Sequence, residues 1–146
     1  MTKAIYLDMD GTIADLYGVE NWLPMLRASD PTPYRIARPL LNLSILARYL
    51  NKAQRNGYKI GIVSWLSKNS NNEYDIAVTT AKKEWLAHHL ASVQFDEITI
   101  VPYGVPKSRV VEFSDGILFD DEERNRNEWR GIACDVDNII EVLKGL

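Results

Sequence analysis

The sequence has a single cysteine, Cys134, so the chain cannot form an internal disulfide. A chain without disulfides suits a reducing compartment, and we expect a cytoplasmic protein. No apolar run approaches the roughly 18 residues that a membrane span needs. Asp8 and Asp10 also interrupt any apolar stretch that an N-terminal signal peptide would require. We therefore predict a protein with no membrane partner.

The chain also lacks an excess of positive charge. The chain has 17 lysines and arginines against 20 aspartates and glutamates, and its net charge is −3. Binding of nucleic acid without sequence preference needs a basic surface, so we expect no nucleic-acid partner. Hydrophobic residues make up 46% of the chain, which is enough to form one core, and we predict one domain over residues 1–146.

Short apolar runs alternate with longer amphipathic ones along the chain. Each short run is rich in Ile, Val or aromatic residues and is bounded by turn or charged residues, as buried strands are. Strands are predicted at 4–7, 59–63, 97–101, 116–119 and 131–134. Helices are predicted at 39–57, 75–90, 122–131 and 138–146. Pro39 is expected to open the first helix and Asp137 to cap the last. The alternation predicts an α/β fold with a mainly parallel five-stranded sheet and helices on both faces.

Residues 15–38 interrupt the alternation. The segment contains three prolines and shows no sustained hydrophobic period. We predict that it forms an irregular excursion above the strand ends.

Polar side chains stand where the predicted strands end. Asp8 and Asp10 follow the first strand, Ser64 follows the second, and Asp120 and Asp121 follow the fourth. Ligands of such sheets bind at the carboxyl ends of the strands. Carboxylates that crowd together repel one another and are costly to desolvate, so a cation is expected among them. Oxygen donors favour a hard cation, and we predict Mg²⁺.

This set of residues suits the hydrolysis of a phosphate monoester. An aspartate such as Asp8, beside Mg²⁺, can attack phosphorus and form an aspartyl-phosphate. Asp10, two residues on, can protonate the leaving alkoxide and then deprotonate the water that hydrolyses the intermediate. Ser64 and Lys107 can hold the phosphate oxygens. We predict a phosphatase whose partner is a small phosphate monoester.

Four motifs in this order resemble those of the haloacid dehalogenase-like (HAD) phosphatases. They are "DMDGT" after the first strand, "GIVS" ending in Ser64, then Lys107, and "FDD" ending the fourth strand. The resemblance covers nearly the whole chain. It implies a Rossmann-like, doubly wound core with strand order 5-4-1-2-3, dependence on Mg²⁺ and an aspartyl-phosphate intermediate.

The resemblance also implies a role for each aspartate. Asp8 corresponds to the nucleophile and metal ligand. Asp10 corresponds to the general acid and base, and its backbone carbonyl to a further metal ligand. Asp120 and Asp121 correspond to the metal-binding acids, with Asp121 favoured for the direct bond.

The remaining catalytic positions are Ser64 and Lys107, which correspond to the phosphate ligands of the family. Lys82 and Lys83 compete with Lys107 for this role. We favour Lys107, because the other two lie inside a predicted helix where we expect them to be solvated. Lys83 remains within possible reach of the site.

Within the family, the stretches "KKEWLAHHL" and "GILFDDEERN" resemble the 5′(3′)-deoxyribonucleotidase (type C) branch. Those enzymes carry a helical cap domain between the first and second motifs. Here residues 15–38 leave room only for a reduced cap. The resemblance implies a nucleoside 5′-monophosphate, with a deoxyribonucleotide as one option.

Four residues are candidates for binding the substrate. Thr12 follows the nucleophile closely, and Trp65 follows Ser64. Trp22 and Arg35, in the segment 15–38, can stack on a base or bind a leaving group. Trp22 and Arg35 can equally seal the segment onto the core, and for Trp65 a place in the core is slightly favoured over one in the pocket wall.

Two other functions stay open at this point. One is a phosphatase for nucleic-acid 3′ ends, which an open site would admit. The other is a module that keeps the fold without catalysis and binds a partner.

Overall fold

Strands and helices alternate along the chain as the apolar pattern predicts. The structure is a computed structural model that describes residues 2–68 and 70–146, so Met1 and Asn69 of the predicted domain lie outside the described residues. The strands are β1 (Ala4–Leu7), β2 (Ala14–Asp15), β3 (Arg38–Pro39), β4 (Lys59–Trp65), β5 (Glu97–Val101), β6 (Ile117–Phe119) and β7 (Ile132–Cys134). The helices are α1 (Trp22–Arg27), α2 (Thr32–Ile36), α3 (Leu43–Arg55), α4 (Asn72–His89), α5 (Glu123–Glu128) and α6 (Ile139–Lys144).

The main sheet of the described residues has five strands in the order β5-β4-β1-β6-β7, and all its pairings are parallel. Counted along the chain, these are the third, second, first, fourth and fifth strands of the sheet. That is the predicted order 5-4-1-2-3, seen from the opposite edge. The central strand β1 is buried along its whole length. The predicted α/β, Rossmann-like fold is confirmed.

The two faces of β1 belong to different apolar clusters, because successive side chains of a strand point to opposite faces. Ile5 packs in the larger cluster, together with Leu46 of α3 and Leu143 of α6. Tyr6 lies in the cluster on the other face, where its ring meets Trp129 with 5.6 Å between the centroids. The larger cluster thus joins the first strand of the chain to its last helix.

Helix α3 begins later than predicted. Its first residue is Leu43, because the side chain of Asn42 caps the helix and accepts a hydrogen bond from the backbone N–H of Ile45 at 3.1 Å. Pro39 was expected to open this helix, and that prediction is wrong. It lies instead in β3, which pairs antiparallel with β2.

Helix α4 begins three residues earlier than predicted, at Asn72. The side chain of Asn71 accepts a hydrogen bond from the backbone N–H of Tyr74 at 2.8 Å and caps it. With 18 residues, α4 is the longest helix of the described ranges. No helix within residues 2–68 and 70–146 is long and apolar enough to cross a membrane.

The last helix does not use the predicted cap. α6 begins at Ile139, after a 3₁₀ turn over Val136–Asn138. The side chain of Asp135 accepts the backbone N–H of Val136 at 2.7 Å, at the start of that turn. Asp137 lies inside the turn, two positions after its cap, and Asn138 is the residue that precedes α6, so the prediction that Asp137 caps a helix is wrong.

Residues 15–38 are more regular than predicted. They form a 3₁₀ turn and the helices α1 and α2. Strands β2 and β3 pair at the two ends of the segment, so it leaves and rejoins the core at one place. Tyr34 of α2 packs against Tyr74 and Val78 of α4, which attaches the segment to the core.

We expect Asn42→Ala to lower the free energy of unfolding by about 0.5–2 kcal/mol, because α3 loses its side-chain cap. The measurement is urea unfolding followed by circular dichroism. Ser44→Ala, an exposed change in the first turn of the same helix, is the control and should stay within about 0.5 kcal/mol of wild type. Equal effects of the two changes would contradict the observed start of α3.

Candidate active site

The predicted polar residues meet at the carboxyl ends of the three central strands. Asp8 follows β1, Ser64 is the penultimate residue of β4, and Asp120 follows β6. The side chains of all three are buried. The sheet ladder holds the strand ends in place, since the backbone N–H of Asp8 donates to the carbonyl of Phe119 at 3.0 Å. The parallel register therefore brings residues more than 50 positions apart into one site.

Three carboxylates of the described residues form a cluster at this edge. Asp8, Asp120 and Asp121 each offer an oxygen, and these atoms lie within 4.8 Å of one another. Thr12 links two of them, because its hydroxyl lies 3.0 Å from Asp8 Oδ2 and 3.3 Å from Asp121 Oδ1. Gly11 has a φ of +83°, and a Cβ at this position would collide with the carboxylate of Asp121. The glycine of "DMDGT" thus leaves room for the cluster.

Lys107 supplies positive charge to this cluster. It lies in a 3₁₀ turn after β5, and its ammonium is 2.9 Å from Asp8 Oδ1 and 2.6 Å from Asp120 Oδ2. Only 2% of the residue is exposed. Burial acts to lower the pKa of Lys107, but the charges of Asp8 and Asp120 outweigh it and the pKa is raised. Lys107 therefore stays charged and holds the two carboxylates together.

The surroundings of Asp10, Asp120 and Asp121 nevertheless disfavour the charged form of each carboxyl group. Burial, followed by the charge of Asp8, raises the pKa of Asp121 to about 7 and that of Asp120 to about 6. Burial also raises the pKa of Asp10, against the opposing charge of Lys82. The site thus holds more negative charge than its ammonium groups offset, and all its donors are oxygens. Such a donor set suits a hard divalent cation.

Lys82 is the main correction to the expected site. We expected it to be solvated, but it is only 1% exposed. Its ammonium lies 2.7 Å from Ser64 Oγ, 2.7 Å from the carbonyl of Trp65 and 3.0 Å from Asp10 Oδ2. Lys83, the next residue, is exposed. Both lysines are therefore at the site: Lys82 contacts Asp10, whereas Lys107 contacts Asp8 and Asp120.

A sequence signal for Lys82 existed. It lies four residues after Val78 and four before Leu86, and residues at this spacing share one face of a helix. That face is the buried one. A lysine that is fully buried on such a face is nearly always paired with an opposite charge.

A cavity of about 330 Å³ lies above the strand ends. Its floor carries the polar residues Asp8, Asp10, Ser64, Lys107 and Asp121. Its walls are mainly apolar or aromatic, and five of the lining residues come from residues 15–38: Leu16, Tyr17, Trp22, Leu26 and Tyr34. The segment therefore contributes part of the cavity wall above the strand ends.

Two of the four predicted substrate-binding residues line this cavity. Trp22 packs edge-on against Tyr17, with 5.1 Å between the ring centroids. The ring of Trp65 lies 5.6 Å from the ammonium of Lys107 and 4.9 Å from the ring of Tyr103. Sequence reasoning missed Tyr103, although its place shortly after β5 puts it at the same edge of the sheet.

The other two are placed differently. Thr12 is absent from the cavity lining, because its hydroxyl is turned to the carboxylates of Asp8 and Asp121. Arg35 lies on the exposed side of α2 and pairs with Glu84 at 3.3 Å, since the buried side of that helix is taken by Tyr34. Their expected contact with substrate is not supported by these positions.

The chain matches no family model and no curated protein. Its fold is similar to that of D,D-heptose 1,7-bisphosphate phosphatase from Burkholderia thailandensis, at 14% identity and a TM-score of 0.59. It is also similar to the same enzyme from B. bronchiseptica, solved with magnesium and phosphate, at 15% identity and a TM-score of 0.65. In both comparisons 99% of this chain and 97% of the other are covered. At these identities the likeness shows a shared fold.

We expect the stability of the metal-free protein to fall as pH rises between 3.8, the ordinary pKa of aspartic acid, and about 7. The folded state holds the proton of Asp121 more tightly than the unfolded chain, so its contribution is present at low pH and lost through this window. The Asp121→Asn variant lacks this titrating carboxyl, so its free energy of unfolding should fall less steeply with rising pH. Urea unfolding in EDTA at several pH values measures this.

The matched control is Asp137→Asn, at an exposed aspartate that is not part of the cluster. Its pH profile should follow that of the wild type. If the free energy of unfolding of Asp121→Asn runs parallel to that of the wild type between pH 3.8 and about 7, the raised pKa of Asp121 is contradicted.

Proposed function

We propose that this chain is a Mg²⁺-dependent phosphatase of the HAD superfamily that hydrolyses a small phosphate monoester through a phosphorylated Asp8. The observation that carries the proposal is the placement of Asp8. It lies at the end of the central strand and lines the cavity, with Oδ1 held by Lys107 and Oδ2 by Thr12. A nucleophile that is oriented in this way can meet a phosphate in the cavity.

The donor set supports a magnesium site. Asp8, Asp120 and Asp121 would hold the ion together with the backbone carbonyl of Asp10. Asp121 lines the cavity, whereas Asp120 is fully buried and turned to Lys107. This difference favours Asp121 for the direct bond. When bound, the ion supplies positive charge that neutralises the phosphate and the crowded carboxylates.

Asp8 and Asp10 carry out the two chemical steps of the proposed reaction. An oxygen of Asp8 bonds to phosphorus while the bond from phosphorus to the ester oxygen breaks, and Asp10 gives that oxygen its proton. In the second step Asp10 takes a proton from water, the water oxygen bonds to phosphorus, and Asp8 is released. Ser64 Oγ accepts a hydrogen bond from Lys82, so its own hydrogen is free to donate to a phosphate oxygen.

The aromatic residues in the walls of the cavity are suited to bind a planar leaving group. We propose a nucleoside 5′-monophosphate, with residues 15–38 acting as a small cap within one domain. Tyr17 is half exposed, and it and Trp22 offer aromatic surface next to the catalytic floor. A base stacked on an aromatic ring gains roughly 1–3 kcal/mol. The two solved enzymes of similar fold are phosphatases of a heptose bisphosphate, so a sugar phosphate is the competing candidate for the substrate. A nucleic-acid end is less favoured, because the net charge of −3 provides no basic track.

We expect Asp8→Asn to abolish hydrolysis of p-nitrophenyl phosphate, because the amide oxygen lacks the charge that attacks phosphorus. Excess EDTA should abolish the activity of the wild type, and added Mg²⁺ should restore that activity. Beryllofluoride with Mg²⁺, a mimic of aspartyl-phosphate, should raise the melting temperature of wild type but not of Asp8→Asn. Asp137→Asn should keep full activity.

Undiminished hydrolysis in excess EDTA would rule out the proposed mechanism. A wild type that neither hydrolyses the ester nor responds to beryllofluoride would instead support a non-catalytic binding module.

We expect Trp22→Ala to lower kcat/KM for dTMP by about tenfold to a hundredfold, the size of one lost stacking contact. The kcat/KM for ribose 5-phosphate should change much less, since this substrate has no base. Leu23→Ala, on the same helix but outside the cavity lining, is the control. If ribose 5-phosphate and glucose 6-phosphate match or exceed every nucleotide in the wild type, the nucleotide proposal fails and the general phosphatase proposal stands.

A further inference from the structure

Lys82 is the one buried charge at the site, within the described residues, that the mechanism above leaves without a role of its own. An ammonium has three hydrogens to donate. Two are donated in hydrogen bonds of 2.7 Å, to Ser64 Oγ and to the carbonyl of Trp65, and the charge forms an ion pair with Asp10 Oδ2 at 3.0 Å. The group is therefore fixed in place beside Asp10.

We propose that Lys82 is a positioning residue that selects which oxygen of Asp10 exchanges the proton with the substrate. The positive charge of the ammonium lies 3.0 Å from Oδ2 and favours negative charge on that atom, so a proton on Asp10 is favoured on the other oxygen, Oδ1. Asp10 lines the cavity, and no hydrogen bond within residues 2–68 and 70–146 is seen for Oδ1. Lys82 thereby turns the proton-bearing oxygen toward the ester. The inference rests on the proposed phosphatase function.

The step it serves is the departure of the leaving group. Asp8 forms its bond to phosphorus, the bond from phosphorus to the ester oxygen breaks, and its electrons stay on that oxygen. The oxygen takes the proton from Asp10 Oδ1, and Asp10 is left as a carboxylate whose negative charge lies beside Lys82. The same oxygen accepts the proton of the attacking water in the second step.

Two features make this role specific to Lys82. Lys107 contacts Asp8 and Asp120, on the nucleophile side, whereas Lys82 contacts Asp10. The anchor that fixes Lys82 is also rigid, because Ser64 and Trp65 belong to the central sheet. A side chain tied to two points of a strand can hold a carboxylate in one orientation, which a solvated lysine cannot do.

The test uses two esters that differ in their need for an acid. The nitrophenolate of p-nitrophenyl phosphate is a stable anion that leaves without a proton, whereas the alkoxide of glycerol 2-phosphate needs one. The value of kcat/KM is measured for both, since it reports the steps up to formation of the phosphorylated enzyme. We expect Lys82→Met to lower kcat/KM for glycerol 2-phosphate by about 100-fold, as for a misplaced catalytic group. The value for p-nitrophenyl phosphate should fall by less than about tenfold, because its departure needs no acid.

A double-mutant cycle tests whether Lys82 acts through Asp10. Asp10→Asn should itself lower kcat/KM for glycerol 2-phosphate by about 10²- to 10⁴-fold. If Lys82 works by orienting Asp10, adding Lys82→Met to Asp10→Asn should cause little further loss. Lys83→Met, the adjacent exposed lysine, is the matched control and should leave both esters unaffected.

Folding is checked first by circular dichroism and melting temperature. Lys82→Gln, which keeps amide donors on an uncharged side chain, is carried through the same measurements in case Lys82→Met does not fold. Equal losses for the two esters would overturn the proposal, because binding of phosphate through Ser64 would affect both alike. Full additivity with Asp10→Asn, or failure of both Lys82 variants to fold, would also overturn it in favour of a purely structural lysine. A wild type inactive on both esters would overturn the phosphatase function itself, whereas the other outcomes leave that function standing.

Discussion

The repulsion among buried carboxylates at the end of a parallel sheet is the constraint on which the rest of this structure depends. Asp8, Asp120 and Asp121 lie within one cluster, and Asp10 lies close by. Charges of one sign that are both close and buried destabilise a fold unless opposite charges reach them. Much of the local architecture can be understood as a way to bring such charges in.

Two lysines bring that charge from different elements. Lys107 comes from a turn after β5 and lies between Asp8 and Asp120, whereas Lys82 comes from α4 and contacts Asp10. Each aspartate of "DMDGT" thus has its own ammonium, and the two carboxylates are held in different surroundings. Such separation allows one carboxylate to act as nucleophile and the other as acid and base.

The segment 15–38 completes the site because its two ends are joined. The pairing of β2 with β3 lets the chain leave the core after the loop that carries Asp8 and Asp10 and return beside it. Between these strands, α1 and α2 place aromatic rings above a charged floor. A polar floor with apolar walls is the usual make-up of a small-molecule pocket. The floor can recognise a phosphate, and the walls are left to recognise what the phosphate is attached to.

The sequence by itself determined the five strands of the main sheet and the aspartates at their ends, because strand character is a local property. The order of those strands was predicted only through the resemblance to the HAD phosphatases. Tertiary structure alone decided which way the side chains of the helices point. Lys82 is buried because α4 turns that face to the core, and Arg35 is exposed because Tyr34 takes the buried side of a short helix. Burial of this kind depends on contacts between residues far apart in the chain, so local patterns can suggest it but do not determine it.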